Sequence, residues 1–185
     1  MREPELGTIV YCKFAGGLLE HSGIYAGYGQ IISFVKTEHG ITKATGRAVV
    51  KKESPRDFLV PGSGYNEIYA MITDSYYPHV GIDTLNVAQK WVGIEARYDV
   101  LTKKHCHNFV GTCIQLATKK DYNYVKNWKY SIMKVLPIPG SGIIAEALEI
   151  VNMPFNSLET LVSEAYCGGT GFFGGKKFKW EKWDY

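Results

Sequence analysis

The sequence predicts an α+β fold in which an antiparallel sheet packs against helices. Two observations carry this expectation. The first 53 residues hold several runs rich in β-branched and aromatic residues, separated by glycine-bearing turns. Two later stretches, 82–92 and 106–117, switch to the three- and four-residue recurrence of apolar side chains that marks one buried helix face.

Residues 1–6 are polar and read as a frayed end. Residues 7–14 (GTIVYCKF) read as a strand, 15–17 as a turn, and 18–26 (LLEHSGIYA) as a second strand with His21 inside it. Tyr28-Gly29 turns the chain and residues 30–35 (QIISFV) return as a third strand, so the short connection predicts an antiparallel hairpin. Residues 36–48 read as a surface loop, 49–53 (VVKKE) as a fourth short strand, and 54–64 (SPRDFLVPGSG) as a loop punctuated by proline and glycine. Residues 65–71 (YNEIYAM) read as a strand or an irregular segment. In 82–92 (IDTLNVAQKWV), Leu85, Ala88, Trp91 and Val92 share a helix face, Asp83 or Thr84 suits the cap, and Gly93 suits the end. Residues 98–101 lead into a cysteine, after which Phe109, Val110, Cys113, Ile114, Leu116 and Ala117 mark a second helix. Beyond a Pro-Gly break at 137–142, residues 143–151 and 157–165 read as short helices, 168–175 as a flexible glycine-rich stretch, and 176–185 (KKFKWEKWDY) as an aromatic–basic tail. The expected organisation is therefore a catalytic domain over 1–120 and a C-terminal extension over 121–185, helical with a flexible tail.

Composition narrows the functional classes. With 185 residues, 45% hydrophobic and 21% charged, the chain is an ordinary globular domain with room for a sizeable core. A net charge of +3 is too small to argue for nucleic acid, and the 13 tyrosines are scattered and form no basic–aromatic recognition motif. The four cysteines (Cys12, Cys106, Cys113 and Cys167) fit no compact disulfide framework. Reduced thiols and a cytoplasmic setting are expected. The N-terminal residues lack the apolar run of a secretory signal, and no uninterrupted apolar stretch is long enough for a membrane span.

The chemistry centres on HCHNFV, residues 105–110. Cys106 falls at a helix start, where free N–H groups and the positive dipole end favour thiolate over thiol. A thiolate there becomes a nucleophile if a distant histidine reaches it. A cysteine on a helix is more often a packing residue, and Cys113 and Cys12 read that way. His105, Cys106 and His107 also invite a metal reading. Adjacent residues at a helix start point in different directions, however, and no second ligand pair follows at the usual spacing, so neither a metal nor another cofactor is assigned.

Two stretches together resemble the lecithin retinol acyltransferase-like family, the permuted papain-like (NlpC-type) group with a histidine box and an asparagine–cysteine motif. HSGIYAGYGQIISF, residues 21–34, looks like the histidine box, and VLTKKHCHNFV, residues 100–110, looks like the cysteine motif. AVVKKE (48–53) and AQKWVGIEARYDVLTKKHC (88–106) resemble the corresponding segments of the phospholipase/acyltransferase branch. The likeness spans residues 7–117. This chain departs from the family pattern at three places. His105 stands where Asn is usual, His107 and Asn108 replace Glu and His, and Ser33 occupies the place of a second histidine that polarises the first.

The resemblance implies a permuted papain-like fold and a cysteine-dependent acyl hydrolase or acyltransferase acting on phospholipid or other acyl esters. Cys106 would be the nucleophile, His21 the general base and acid, and Ser33 the orienting third residue. Glu38 or His39, in the loop after the third strand, are the alternatives for that third place. A cysteine peptidase or amidase uses the same dyad, and a binding or regulatory module could retain the fold without catalysis. The tail suits either a peripheral membrane contact or a solvated, partly disordered end.

Overall fold

The computed structural model describes residues 3–14, 19–37, 45–59, 66–73, 81–99, 106–117, 130–132, 148–150 and 178–185. These residues form an α+β fold built on a seven-stranded antiparallel sheet. Its strands are β1 (Ile9–Phe14), β2 (Leu19–Gly27), β3 (Gln30–Lys36), β4 (Thr45–Glu53), β5 (Ile68–Thr73), β6 (Glu95–Asp99) and β9 (Phe178–Trp183). They lie side by side in the order β6-β4-β3-β2-β1-β5-β9. A separate two-stranded ribbon pairs β7 (Tyr130–Ile132) with β8 (Leu148–Ile150). The helices are α1 (Pro55–Phe58), α2 (Gly81–Gln89) and α3 (Cys106–Ala117).

Side-chain alternation along the strands divides the interior in two. On one face, Ile9 and Tyr11 of β1, Ile24 of β2, Ile32 and Phe34 of β3, and Ala48 and Val50 of β4 meet the apolar sides of α2 and α3. The helices contribute Leu85, Ala88, Phe109, Val110, Cys113 and Ile114, the residues whose spacing predicts the two helices. The Trp91 ring lies 6.1 Å from that of Phe109 and joins the helix ends. On the other face, Val10, Cys12, Tyr25, Ile31, Ile68, Ala70 and Trp183 form a smaller cluster capped by Phe58 of α1.

The β2–β3 hairpin turns through Gly27, Tyr28 and Gly29, all at positive φ (88°, 51° and 64°). Glycine adopts this region without cost, and Tyr28 is held in it between the two. Close to the same end, a Cβ on Gly7 would overlap the Gly81 carbonyl, so this approach of the N-terminal segment to α2 requires glycine.

Several expectations need correction. Of residues 1–6, read as frayed, Glu5 and Leu6 lie in an ordered turn that leads into the sheet. Thr8 N–H donates to Glu5 O at 3.0 Å, and Gly7 N–H donates to Tyr25 O at 2.8 Å. The stretch after β4, read as a loop, opens with α1. Ser54 is its N-cap and receives Asp57 N–H at 3.2 Å, and Pro55 stands where its missing N–H costs nothing. β4 begins four residues earlier than expected, inside the predicted loop, and residues 95–99 add a further strand, β6, against it. Within the helix expected over 143–151, residues 148–150 are extended, as β8. The aromatic–basic end is not a flexible tail but β9, whose residues Phe178–Trp183 pair with β5. Tyr11 explains part of this. Its ring stacks on Tyr69 at 5.2 Å and meets Trp180 edge-on at 4.8 Å, which pins the last strand to the first. The helix expected over 157–165 and the glycine-rich stretch 168–175 lie outside the described residues.

Candidate functional site

The strand side of the site comes from β2, β3 and β4. His21 lies opposite Cys12 in the β1–β2 register, and its side chain belongs to the face carrying α1. Its ring packs on Phe58, with centroids 4.7 Å apart. Ser33 and Glu53 share that face. The register pairs Ser33 with Lys51 and Ile31 with Glu53, so the Ser33 and Glu53 side chains are diagonal neighbours. The Ser33 hydroxyl donates to Glu53 Oε1. His21 Nε2 stands 3.9 Å from the same Oε1, and Lys51 Nζ stands 3.1 Å from Oε2. The Glu53 side chain is only 2% exposed. A buried carboxylate is costly unless cations and hydrogen bonds face it, and here Lys51, His21 and Ser33 supply them.

The helix side comes from α3. Cys106 is its first residue, so the first N–H groups of the helix have no partner within it. The sulfur is buried over the start of β2, and in the thiol form Sγ–H points to Glu20 O at 3.9 Å. The next residue, His107, places Nδ1 3.9 Å from Cys106 Sγ and 2.7 Å from Ser22 Oγ. Ser22 alternates with His21 along β2, so it faces the helices while His21 faces α1. Asn108 is buried, and its Nδ2 has no hydrogen-bond partner among the described residues.

Electrostatics couple the two sides. Burial by itself lowers the His21 pKa, but Cys106, through its charge and a hydrogen bond, and Glu53, through the same two effects, raise it from 6.5 to about 9. Imidazolium is therefore the favoured form at neutral pH when Cys106 is a thiolate. The contrast with Cys113, two turns along the same helix, is informative. There burial acts without a facing cation and pushes the thiol well above its usual value, so Cys113 stays protonated.

The structure thus brings His21, Cys106 and Ser33 into one neighbourhood. It gives Ser33 a different contact from the one expected: its hydroxyl goes to Glu53, and Glu53 is the group beside His21. In the sequence, residues 49–53 read as a fourth short strand and 48–53 as part of the family resemblance, with no role assigned to Glu53. Two signals were present, an acid ending a strand and the SPRD capping pattern directly after it, which announces a helix able to bury that acid. Glu38, His39, His105 and Cys167 lie outside the described residues. Among the described residues Cys12, Cys106 and Cys113 form no disulfide, and no group of three or more His, Cys, Asp or Glu is arranged to hold a metal ion. No helix among the described residues is long and apolar enough to cross a membrane. No protein-family model matches the chain, and no curated protein matches it significantly.

Proposed function

We propose that this protein is a cysteine-dependent acyl hydrolase or acyltransferase that works through a thioester on Cys106. The observation that carries the reading is the His21 imidazole held between Cys106 and buried Glu53, a nucleophile, base and orienting acid in series. Glu53 replaces Ser33 as the proposed third member, and Ser33 becomes its support. A carboxylate stabilises imidazolium by charge, which a hydroxyl cannot do. The antiparallel sheet, with the histidine strand preceding the cysteine helix in the chain, agrees with a permuted papain-like, NlpC-type arrangement. The resemblance of residues 48–53 and 88–106 to the phospholipase/acyltransferase branch favours phospholipid or other acyl esters as substrates.

The mechanism follows from the pairing. The thiolate attacks the ester carbonyl carbon, an S–C bond forms, and the carbonyl oxygen becomes an oxyanion. Backbone N–H groups at the start of α3 are placed to receive it. The C–O bond to the leaving group then breaks, and His21 passes its proton to the departing oxygen. Forming the thioester removes the thiolate charge and hydrogen bond that hold the His21 pKa up, while burial continues to lower it. The imidazolium therefore becomes more acidic when its proton is needed, and the resulting neutral imidazole can serve as base. In the second half, water or an acceptor hydroxyl or amine gives its proton to His21 and attacks the thioester. Cys106 then leaves as thiolate and the ion pair is restored.

The test is intact mass after brief incubation with phospholipid vesicles or a water-soluble acyl ester. The expected result is one acyl group on Cys106, released by hydroxylamine and absent in Cys106→Ala. An adduct from peptide amides but none from esters would instead assign a cysteine amidase. The absence of any adduct, with ligand binding retained, would assign a binding module.

A further inference from the structure

The histidine box leaves a second imidazole unexplained. His107 follows the cysteine directly and faces it from the helix side, whereas His21 comes from the strand side. One ring atom, Nδ1, makes both contacts: 2.7 Å to Ser22 Oγ and 3.9 Å to Cys106 Sγ. Ser22 is fully buried on a central strand, so its hydroxyl holds the ring in a fixed direction. A hydroxyl oxygen can accept from Nδ1–H while the same N–H leans toward a nearby anion.

We propose that His107, held by Ser22, is a second imidazole acting on Cys106: in its Nδ1–H form it donates toward the sulfur and stabilises the thiolate. The inference rests on Cys106 being the nucleophile, and it concerns the resting thiolate, not the later acyl chemistry. In the protonated state the sulfur turns its S–H to Glu20 O; in the ionised state a carbonyl oxygen repels it, and the two imidazoles are its donors. Ser22 acts as a positioning residue through His107. A purely mechanical role, tying α3 to β2, would use the Ser22 contact and ignore the sulfur.

The titratable residues around Cys106 among the described residues include His21 and Glu20 on β2, the latter reaching the sulfur through its backbone carbonyl, His107 on α3 and, behind His21, Glu53 and Lys51 on β4. The experiment therefore leaves His21, Glu53 and Lys51 unchanged and alters only His107 and its support Ser22. Thiolate absorbance in the ultraviolet is followed against pH for the full chain, with Cys106→Ala as the blank. His107→Ala is expected to raise the midpoint of Cys106 ionisation by about one pH unit, the size of a lost hydrogen bond to the charged form. Ser22→Ala should raise it by roughly half as much, because the ring remains but is no longer held. His107→Asn, whose amide N–H can occupy the Nδ1 position, should restore most of the shift. Thermal unfolding of each variant checks that the fold is intact. Identical midpoints in wild type, His107→Ala and Ser22→Ala would overturn the proposal, as would a shift in His107→Ala that His107→Asn leaves uncorrected. No substrate is present, so a failed acylation assay leaves this outcome untouched. A wild-type midpoint at the ordinary thiol value would instead count against the ion pair with His21.

Discussion

The two faces of the seven-stranded sheet are made by neighbouring residues of the same strands, yet they have different work. The face under α2 and α3 is aliphatic and aromatic: Ile24, Ile32, Phe34, Ala48 and Val50 receive Phe109, Val110 and Ile114. The face under α1 carries Ile31 and Tyr25 but also His21, Ser33 and Glu53, buried together, with Ser33 donating to the Glu53 carboxylate and His21 and Lys51 facing it. Strand alternation produces this division, since a step of one residue moves from a core position to a site position. The apolar face fixes where α3 starts, and the polar face supplies the His21 that Cys106 meets there, alongside His107 and Ser22 on the helix side. Stability and chemistry should therefore separate under mutation.

The largest effect should come from His21→Ala, with a loss in acyl transfer on the order of a thousandfold from removal of the general acid and base, measured as kcat/KM with Tm as a control. On the other face, Ile114→Ala should cost about 2–4 kcal/mol of stability in a denaturant titration, with activity per folded molecule nearly unchanged. Equal loss in both assays would show that the faces are not separable. Glu53→Gln should come next, lowering the rate by about tenfold to a hundredfold. It removes one of the influences that raise the His21 pKa, so the alkaline limit of activity should move down from about pH 9. Ser33→Ala should be smallest, a few-fold loss in rate, because its hydroxyl acts on the acid and not on the imidazole; an unchanged rate would make Ser33 only a core residue.

Stability should carry the same signature in its pH dependence. The His21 pKa is raised on folding, from 6.5 to about 9. The folded state therefore binds this proton more tightly, and the stabilisation is complete below pH 6.5 and lost as pH rises through about 9. Since the Cys106 charge is a main cause of the raised value, Cys106→Ala should flatten this part of the stability profile in urea titrations at stepped pH.

The two faces also differed in how much of them could be read from the chain. The apolar one was legible because periodicity is local: Leu85 and Ala88 of α2, and Phe109, Val110, Cys113 and Ile114 of α3, mark their helices without tertiary knowledge. His21 and Cys106 were legible as residue types in recognisable surroundings. Glu53 was not, because its role depends on the β3–β4 register, which puts it diagonal to Ser33 and beside His21. A strand-end glutamate ordinarily faces water. The last strand was hidden for a related reason. A basic–aromatic alternation resembles a solvated or interfacial tail until Tyr69 and Tyr11 provide the surface on which Trp180 packs. Short pieces such as α1 have too little sequence for a period to show and are marked only by their caps.

The central claim is that His21 keeps Cys106 reactive at neutral pH while the buried thiols beside it stay inert. The direct measurement is the rate of iodoacetamide modification at each cysteine at pH 7, resolved by peptide mass spectrometry, in wild type and His21→Ala. The account predicts rapid modification of Cys106 in wild type, slow modification of Cys12 and Cys113, and a Cys106 rate in His21→Ala that falls to that of the other two. Equal rates at all three cysteines in wild type, or a Cys106 rate unchanged by His21→Ala, would contradict it.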